Sequence, residues 1–279
     1  HDLWFVVRQQ QGQELSRQKK YVEATDFLQQ LSEQAESVGV TEAIRLSIMR
    51  GLRQSLWRQL ETTRGPERRP IGKRLEPVAR EVVERSTRLD GPIAMVVLDD
   101  QVYLAQSLYE LGKFQAAGET CRALLATSKD RLGECHVIRT NALSALADAL
   151  YRQGLFDEAA DAGLRELECR RQEDPIVYVS ALTTIIPILD RSGRWVDGER
   201  HARDLAQKLK ELGGGHGPMV LDAELAAAHF VSRQGRKDEA DQLFAQLLTR
   251  EDEASESTHV LARMHMFYGA HLASLGNYE

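Results

Sequence analysis

A short turn recurs along the chain and decides its fold. Its five copies are Leu111-Gly112-Lys113-Phe114, Gln153-Gly154-Leu155-Phe156, Ser192-Gly193-Arg194-Trp195, Gln234-Gly235-Arg236-Lys237 and Leu275-Gly276-Asn277-Tyr278. The glycines are separated by 42, 39, 42 and 41 residues. Five residues after the first four of them stands a small residue: Ala117, Ala159, Gly198 or Ala240. Glycine ends a helix in the left-handed conformation, and a small residue lets the next helix pack closely, so each copy predicts a helical hairpin.

The sequence around the turns has helical periodicity. Apolar residues precede a turn at helical spacing, as in Leu143, Leu146 and Leu150, and a second such pattern follows, as in Phe244 and Leu247. Hydrophobic residues make up 42% of the 279 residues but aromatic residues only 6%, which favours helix interfaces over a strand-rich core. These observations predict an all-α chain.

The pattern resembles the tetratricopeptide repeat (TPR) family, in the form of about 42 residues found in kinesin light chains and many bacterial signalling proteins. The resemblance covers residues 93 to 279 well. It reaches the start of the chain, where Gly12, Tyr21 and Ala24 keep the pattern although Lys19 replaces the turn glycine. The family implies a right-handed superhelical solenoid of antiparallel helix pairs.

We expect one solenoid over residues 1–279. Its repeats would be 1–40, an atypical repeat 41–90, then 93–134, 135–174, 175–215, 218–255 and a truncated repeat 256–279. In the atypical repeat, a helix from Thr41 to Glu61 and another from Lys73 to Arg88 are predicted to flank an inserted loop. The missing initiator Met and the truncated last copy suggest a piece of a longer protein.

One exchange of side-chain size supports this register. The family brings a small residue of the first helix against Ala of the second, but the repeat at 175–215 has Ile186 and Gly198 at these positions. A larger side chain opposite a smaller one keeps the packed volume constant. We therefore expect Ile186 and Gly198 to compensate each other.

In the family, the first helices of the repeats line a concave groove that binds extended peptides or helices. The carboxylate clamp of some members looks absent here, since Ser144, Asp148 and Thr183 stand where it would need basic or amide side chains. The alternative for each matching position is an ordinary solvated polar residue. The positions are Gln9, Gln13, Gln106, Tyr109, Asn141, Ser144, Asp148, Thr183, Asp190, Asp222, Leu225, His229, Arg263 and Met266.

Three local features have both a functional and a structural interpretation. Pro187 falls inside a predicted helix, where a kink could either shape a pocket or simply be tolerated. The segment 64–74 has five basic residues and one acid. An exposed, mobile loop is favoured there over a docking site for an acidic partner or a nucleic-acid backbone. The glycine-rich segment 213–218 lacks the Gly-Lys-Ser/Thr of a phosphate loop and is interpreted as a connector.

Composition excludes several classes of protein. A net charge of −6 argues against nucleic-acid binding, and no apolar run approaches the roughly 20 residues that span a bilayer. Cys121, Cys135 and Cys169 have no short paired spacing, which favours reduced thiols and a cytoplasmic protein. The histidines, including the evenly spaced His259, His265 and His271, form no metal-binding pattern.

The sequence thus predicts a scaffold or adaptor that binds a protein or peptide in its groove. The alternative is the sensor or regulatory region of a larger bacterial kinase, protease or transcription regulator, whose partner could be another domain of the same chain. No catalytic pattern is visible, and we expect no enzyme activity, cofactor, metal, nucleic-acid partner or membrane partner.

Overall fold

A computed structural model describes residues 2–213, 217–250 and 257–275. Throughout these ranges the regular structure is helical, without strands, so the prediction of an all-α fold is confirmed. The chain divides into two compact units, residues 1–153 and 154–279. No helix in the described ranges is long and apolar enough to cross a membrane.

The first unit contains seven α-helices in its described part. Each helix packs against the next one along the chain. The helices are α1 (Asp2–Arg17), α2 (Tyr21–Val38), α3 (Glu42–Thr62), α4 (Arg68–Asp90), α5 (Met95–Glu110), α6 (Phe114–Thr127) and α7 (Val137–Gln153).

The second unit contains six α-helices in its described part. Its core around α11 includes the fully buried Phe244 and Met264. The helices are α8 (Phe156–Arg170), α9 (Pro175–Arg191), α10 (Trp195–Leu212), α11 (Gly217–Arg233), α12 (Lys237–Leu248) and α13 (Thr258–Leu275). Helix α9 continues through Pro187, which is exposed.

The glycine turns have the conformation that the sequence predicts. Gly112, Gly154, Gly193 and Gly235 have φ values of 75°, 80°, 73° and 78°. The small residues five positions later are all buried in the following helix. Gly276 lies outside the described residues, as do the glycines at 214 and 215 of the predicted connector.

Lys19 takes the same left-handed conformation, with φ of 62°, at the turn between α1 and α2. Among the described residues it is the one non-glycine residue with positive φ. This conformation costs an L-residue with a Cβ atom about 1 kcal/mol. The turn therefore forms without glycine, but at a cost.

The aromatic residue of a turn is covered by an arginine from the next first helix. The guanidinium carbon of Arg152 lies 5.2 Å from the ring centre of Phe114, and Arg233 lies 4.7 Å from that of Trp195. Arg191 covers Phe156 at 4.7 Å in the same way. Such cation–π contacts tie one hairpin to the next.

The inserted loop of the second repeat is shorter than predicted. Helix α4 begins at Arg68, and a 3₁₀ turn at Gly65–Glu67 leads into it, so most of the basic segment 64–74 is helical. Arg68 donates to Glu110 at 2.7 Å. Most of the segment is exposed, as expected, but the prediction of a loop is wrong. Pro66 lies in the 3₁₀ turn and Pro70 in the first turn of α4, where a missing N–H costs little.

The expectation of three reduced cysteines is also wrong. Cys121 is a free, buried thiol whose pKa is raised to about 12 by burial. Cys135 and Cys169 are disulfide-bonded. The sequence gives no sign of this, because neither residue belongs to a short paired cysteine motif.

The close contact at Gly198 differs from the one expected. A Cβ atom at Gly198 would lie 2.5 Å from the ring of Phe230 in α11, so Phe230 of the next hairpin, rather than Ile186, fills the space that the glycine leaves. Phe230 itself is 1% exposed and cannot move aside easily.

We expect Gly198→Ala to lower the free energy of unfolding by about 1–3 kcal/mol, because the added methyl group overpacks this contact. Gly269→Ala is the matched control, since α13 leaves open space around Gly269. It should raise stability by about 0.5–1 kcal/mol through helix propensity alone. Chemical denaturation measures both, and equal gains in the two variants would contradict the packing at Gly198.

Candidate functional site

The first helices of the second unit bring several of the predicted groove residues together. His229 of α11 lies with its Nε2 atom 3.1 Å from the Oδ1 atom of Asp190 in α9. Its imidazole stacks on the ring of Phe267 in α13, with ring centres 4.1 Å apart. The hydrogen bond to His229 lowers the pKa of the Asp190 carboxyl group, against the opposing effect of partial burial. His229 thus joins three successive first helices.

A second ion pair continues this row. Arg263 of α13 donates to both carboxylate oxygens of Asp222 in α11, at 2.6 and 2.5 Å. The same guanidinium lies 5.0 Å from the ring centre of Phe267. Four predicted groove residues and Phe267, which the sequence analysis missed, therefore form one polar and aromatic row.

Other predicted positions in this unit have different surroundings. Thr183 is exposed on α9, and its hydroxyl donates to the carbonyl of Val179 in its own helix. Met266 is 57% exposed on α13. Leu225 is fully buried, so its placement in a groove is wrong; it belongs to the core of the unit.

In the first unit, Tyr109 and Asp148 are brought near each other by α5 and α7. Tyr109 is half-buried and packs edge-on against Phe114, with ring centres 5.3 Å apart. Burial is the main cause that raises the pKa of Tyr109, and the charge of Asp148 adds to it. Gln106, one turn earlier on α5, is half-buried as well.

Asp148 is a half-buried carboxylate without a hydrogen-bond partner in the described part of the chain. Burial raises its pKa from 3.8 to about 6, and the nearby Arg152 lowers it only in part. Asn141 and Ser144 are half-buried on the same helix. A half-buried carboxylate that accepts no hydrogen bond is a natural acceptor for a cationic or hydrogen-bonding group.

The two predicted groove residues on α1 differ in exposure. Gln9 is 8% exposed, and its amide donates to the backbone and hydroxyl oxygens of Ser47 at 3.0 and 2.8 Å. The groove assignment of Gln9 is therefore wrong, because its side chain is consumed in holding α1 against α3. Gln13 is half-buried and keeps a surface that a ligand can reach.

A buried ion cluster between α3 and α5 was not found from the sequence. Asp100, 1% exposed, accepts from Arg50 at 2.9 Å and from Arg53. The guanidinium of Arg53 lies 4.0 Å from the ring centre of Tyr103, which packs edge-on against Trp57. The one sequence signal for Asp100 is that it lies among the apolar residues of α5. Its partners could not be found from the sequence, because they lie about 50 residues away along the chain.

Ser232, His271 and Asp241 form a hydrogen-bonded chain that resembles a hydrolytic triad in composition. The Ser232 hydroxyl lies 2.8 Å from Nδ1 of His271, and Nε2 lies 3.0 Å from Asp241. The imidazole has no exposed surface, however, and Phe244 covers it. These hydrogen bonds between Ser232, His271 and Asp241 hold α11, α12 and α13 together. In the described residues no group of His, Cys, Asp or Glu could hold a metal ion.

Comparison with protein-family models gives no match, and no curated protein matches the sequence significantly. Comparison with solved structures is informative about the fold. The TPR-like repeats of a kinesin light chain candidate from Podosopora anserina, in a point variant, match with a TM-score of 0.60 at 16% identity. The match covers 76% of this chain and 98% of that one. The chain has a TPR-like fold.

Two further solved structures are similar to this chain in fold. A signal transduction ATPase from Pyrococcus horikoshii with a tetratricopeptide repeat sensor matches with a TM-score of 0.65 at 10% identity, over 95% of this chain and 39% of that one. NprR in complex with its cognate peptide NprX matches with a TM-score of 0.53 at 12% identity, over 100% of this chain and 75% of that one. At these identities the likeness concerns the fold.

We expect Asp148→Asn to raise the free energy of unfolding at pH 7. A carboxyl group whose folded pKa of about 6 exceeds its unfolded value of 3.8 binds protons more tightly in the folded state, so stability falls as pH rises from 4 to 6. The asparagine removes this loss. A pKa that is raised by about two corresponds to a loss of about 3 kcal/mol in the free energy of unfolding. Because Asp148 is only half-buried, screening by solvent reduces this loss to about 1–2 kcal/mol.

The stability gained by Asp148→Asn should shrink as the pH approaches 4, because Asp148 itself is then protonated in the folded state. Asp130→Asn is the matched control, since Asp130 is exposed, and should change stability by less than about 0.5 kcal/mol at either pH. Denaturation at both pH values, with NMR titration of the Asp148 carboxyl carbon, measures the effect. A midpoint near 4 would show that Asp148 is well solvated.

Proposed function

We propose that this TPR-like chain binds a protein or peptide partner along the face formed by its first helices, as a scaffold or adaptor. The observation that carries the proposal is Asp148. It is held half-buried beside Tyr109, accepts no hydrogen bond within the described chain, and has only the nearby charge of Arg152 to offset its own in part. A partner that donates hydrogen bonds or carries a positive group there would remove this cost.

The neighbouring positions suit the backbone of an extended partner. Gln106 and Ser144 are half-buried polar residues on α5 and α7, and each can donate and accept hydrogen bonds. The solved complex of NprR with a peptide is consistent with this use of the fold.

The second candidate function is that of a sensor within a larger regulatory protein. The TPR sensor of the signal transduction ATPase favours it, because this chain corresponds to only 39% of that protein. In that arrangement the first-helix face would bind another part of the same polypeptide or the ligand that releases it.

Site-specific photo-crosslinking tests both candidates. A photoreactive amino acid is placed at Gln106 or at Ser144, and, as control, at Gln115, which is exposed on the second helix α6. We expect a discrete crosslinked partner from the first two positions and none from Gln115. Mass spectrometry of the product from the intact protein distinguishes a separate partner from a segment of the same polypeptide.

Asp148→Asn in the crosslinkable protein should reduce the yield several-fold, whereas Asp130→Asn should not. Equal crosslinking from Gln115, or from no position, would contradict binding at the first-helix face.

A further inference from the structure

A polar cleft of about 450 Å³ opens between α1 and α3 in the first unit. Among its lining residues is the buried Gly51 of α3. The turn between α1 and α2 closes one end. The lining residues are Gln13, Ser16, Arg17, Lys19, Tyr21, Gly51, Gln54 and Arg58.

The cleft is lined by cations and hydrogen-bond donors and by no acid. Arg17, Lys19 and Arg58 come from α1, the following turn and α3. Arg17 pairs with Glu14 at 3.1 Å and Arg58 with Glu61 at 2.9 Å, but both pairs are solvent-exposed neighbours on one helix. Such exposed pairs are weak and are readily exchanged for a better anion.

Lys19 differs from these arginines because the described chain offers it no anionic partner. It also occupies the left-handed turn position that Gly112, Gly154, Gly193 and Gly235 hold in later repeats. A glycine at this position would avoid the strain but would remove an ammonium group from the mouth of the cleft. Strained positions of this kind concentrate at functional sites.

We propose that this cleft binds a phosphate monoester, carried on a serine or threonine side chain of the partner. Three cations suit the double negative charge of a phosphate monoester better than the single charge of a carboxylate. Each arginine can also donate two parallel hydrogen bonds to a pair of phosphate oxygens. Tyr21 and Gln13 supply neutral donors at the wall. That the phosphate is carried by the partner rests on the proposed partner binding. That the cleft binds a phosphate group does not depend on it.

Four probes test the anion site without any partner. Acetyl-phosphoserine-methylamide, the unphosphorylated serine compound, the aspartate compound and inorganic phosphate are titrated separately into the protein, and amide NMR shifts are followed at Tyr21, Gly51 and Gln54. We expect saturable shifts with the phosphoserine compound, at least about fivefold weaker binding of the aspartate compound and none of the serine compound. Saturation by inorganic phosphate alone would support the site but identify a free ion as its ligand.

Lys19→Gly separates binding from folding. It should raise the melting temperature by about 2 °C by removing the left-handed lysine, yet weaken phosphoserine binding at least about fivefold. Lys20→Gly is the matched control, since Lys20 has an ordinary φ of −85° and does not line the cleft. That variant should keep the affinity and gain no stability.

Unchanged affinity in Lys19→Gly, absence of saturable shifts, or equal affinity for the aspartate compound would overturn the proposal. A lower melting temperature for Lys19→Gly would show that the lysine stabilises the turn, which would remove the strain argument. Loss of the phosphate site with intact crosslinking at Gln106 would leave the partner-binding function standing.

Discussion

The structure depends on a close approach of helices that only very small residues permit. At each glycine turn the chain reverses, and a buried small residue then lets the next helix come near its neighbours. Gly198 shows the constraint most clearly, because the ring of Phe230 takes the place of a side chain there. Close-packed interiors leave few voids, so the small size of Gly198 is what allows a side chain as large as Phe230 in the following hairpin.

Polar contacts add register to this apolar framework. Gln9 ties α1 to Ser47 of α3, and His271 connects Ser232 to Asp241 across three helices. Gln9 and His271 are buried and partnered, which is how buried polar groups are normally accommodated. Asp148 differs from these two side chains, because it is half-buried and accepts no hydrogen bond within the described residues.

The hairpins could be predicted from sequence because their signals are local: glycine, a small residue five positions later and helical apolar spacing. The partners of Asp100 could not, because Arg50 and Arg53 lie in a repeat whose turn is irregular. Helix α4 was predicted to begin at Lys73 because two prolines and two glycines suggest a loop, although prolines near a helix start are tolerated. Of the groove residues, His229, Asp190, Asp222 and Arg263 meet in space, whereas Gln9 and Leu225 are buried; helix periodicity gives the face approximately but not the depth of each side chain.

The arginines that cover the turn aromatics make each hairpin compatible with its successor in a modular way. Arg152 and Arg233 occupy the same place in their repeats, and so do the rings of Phe114 and Trp195 that they cover. The hairpin of α9 and α10 carries both parts of such a junction, the guanidinium of Arg191 and the ring of Trp195. A duplicated hairpin inherits both halves of the junction, which allows an array of this kind to lengthen by gene duplication without new contacts having to evolve.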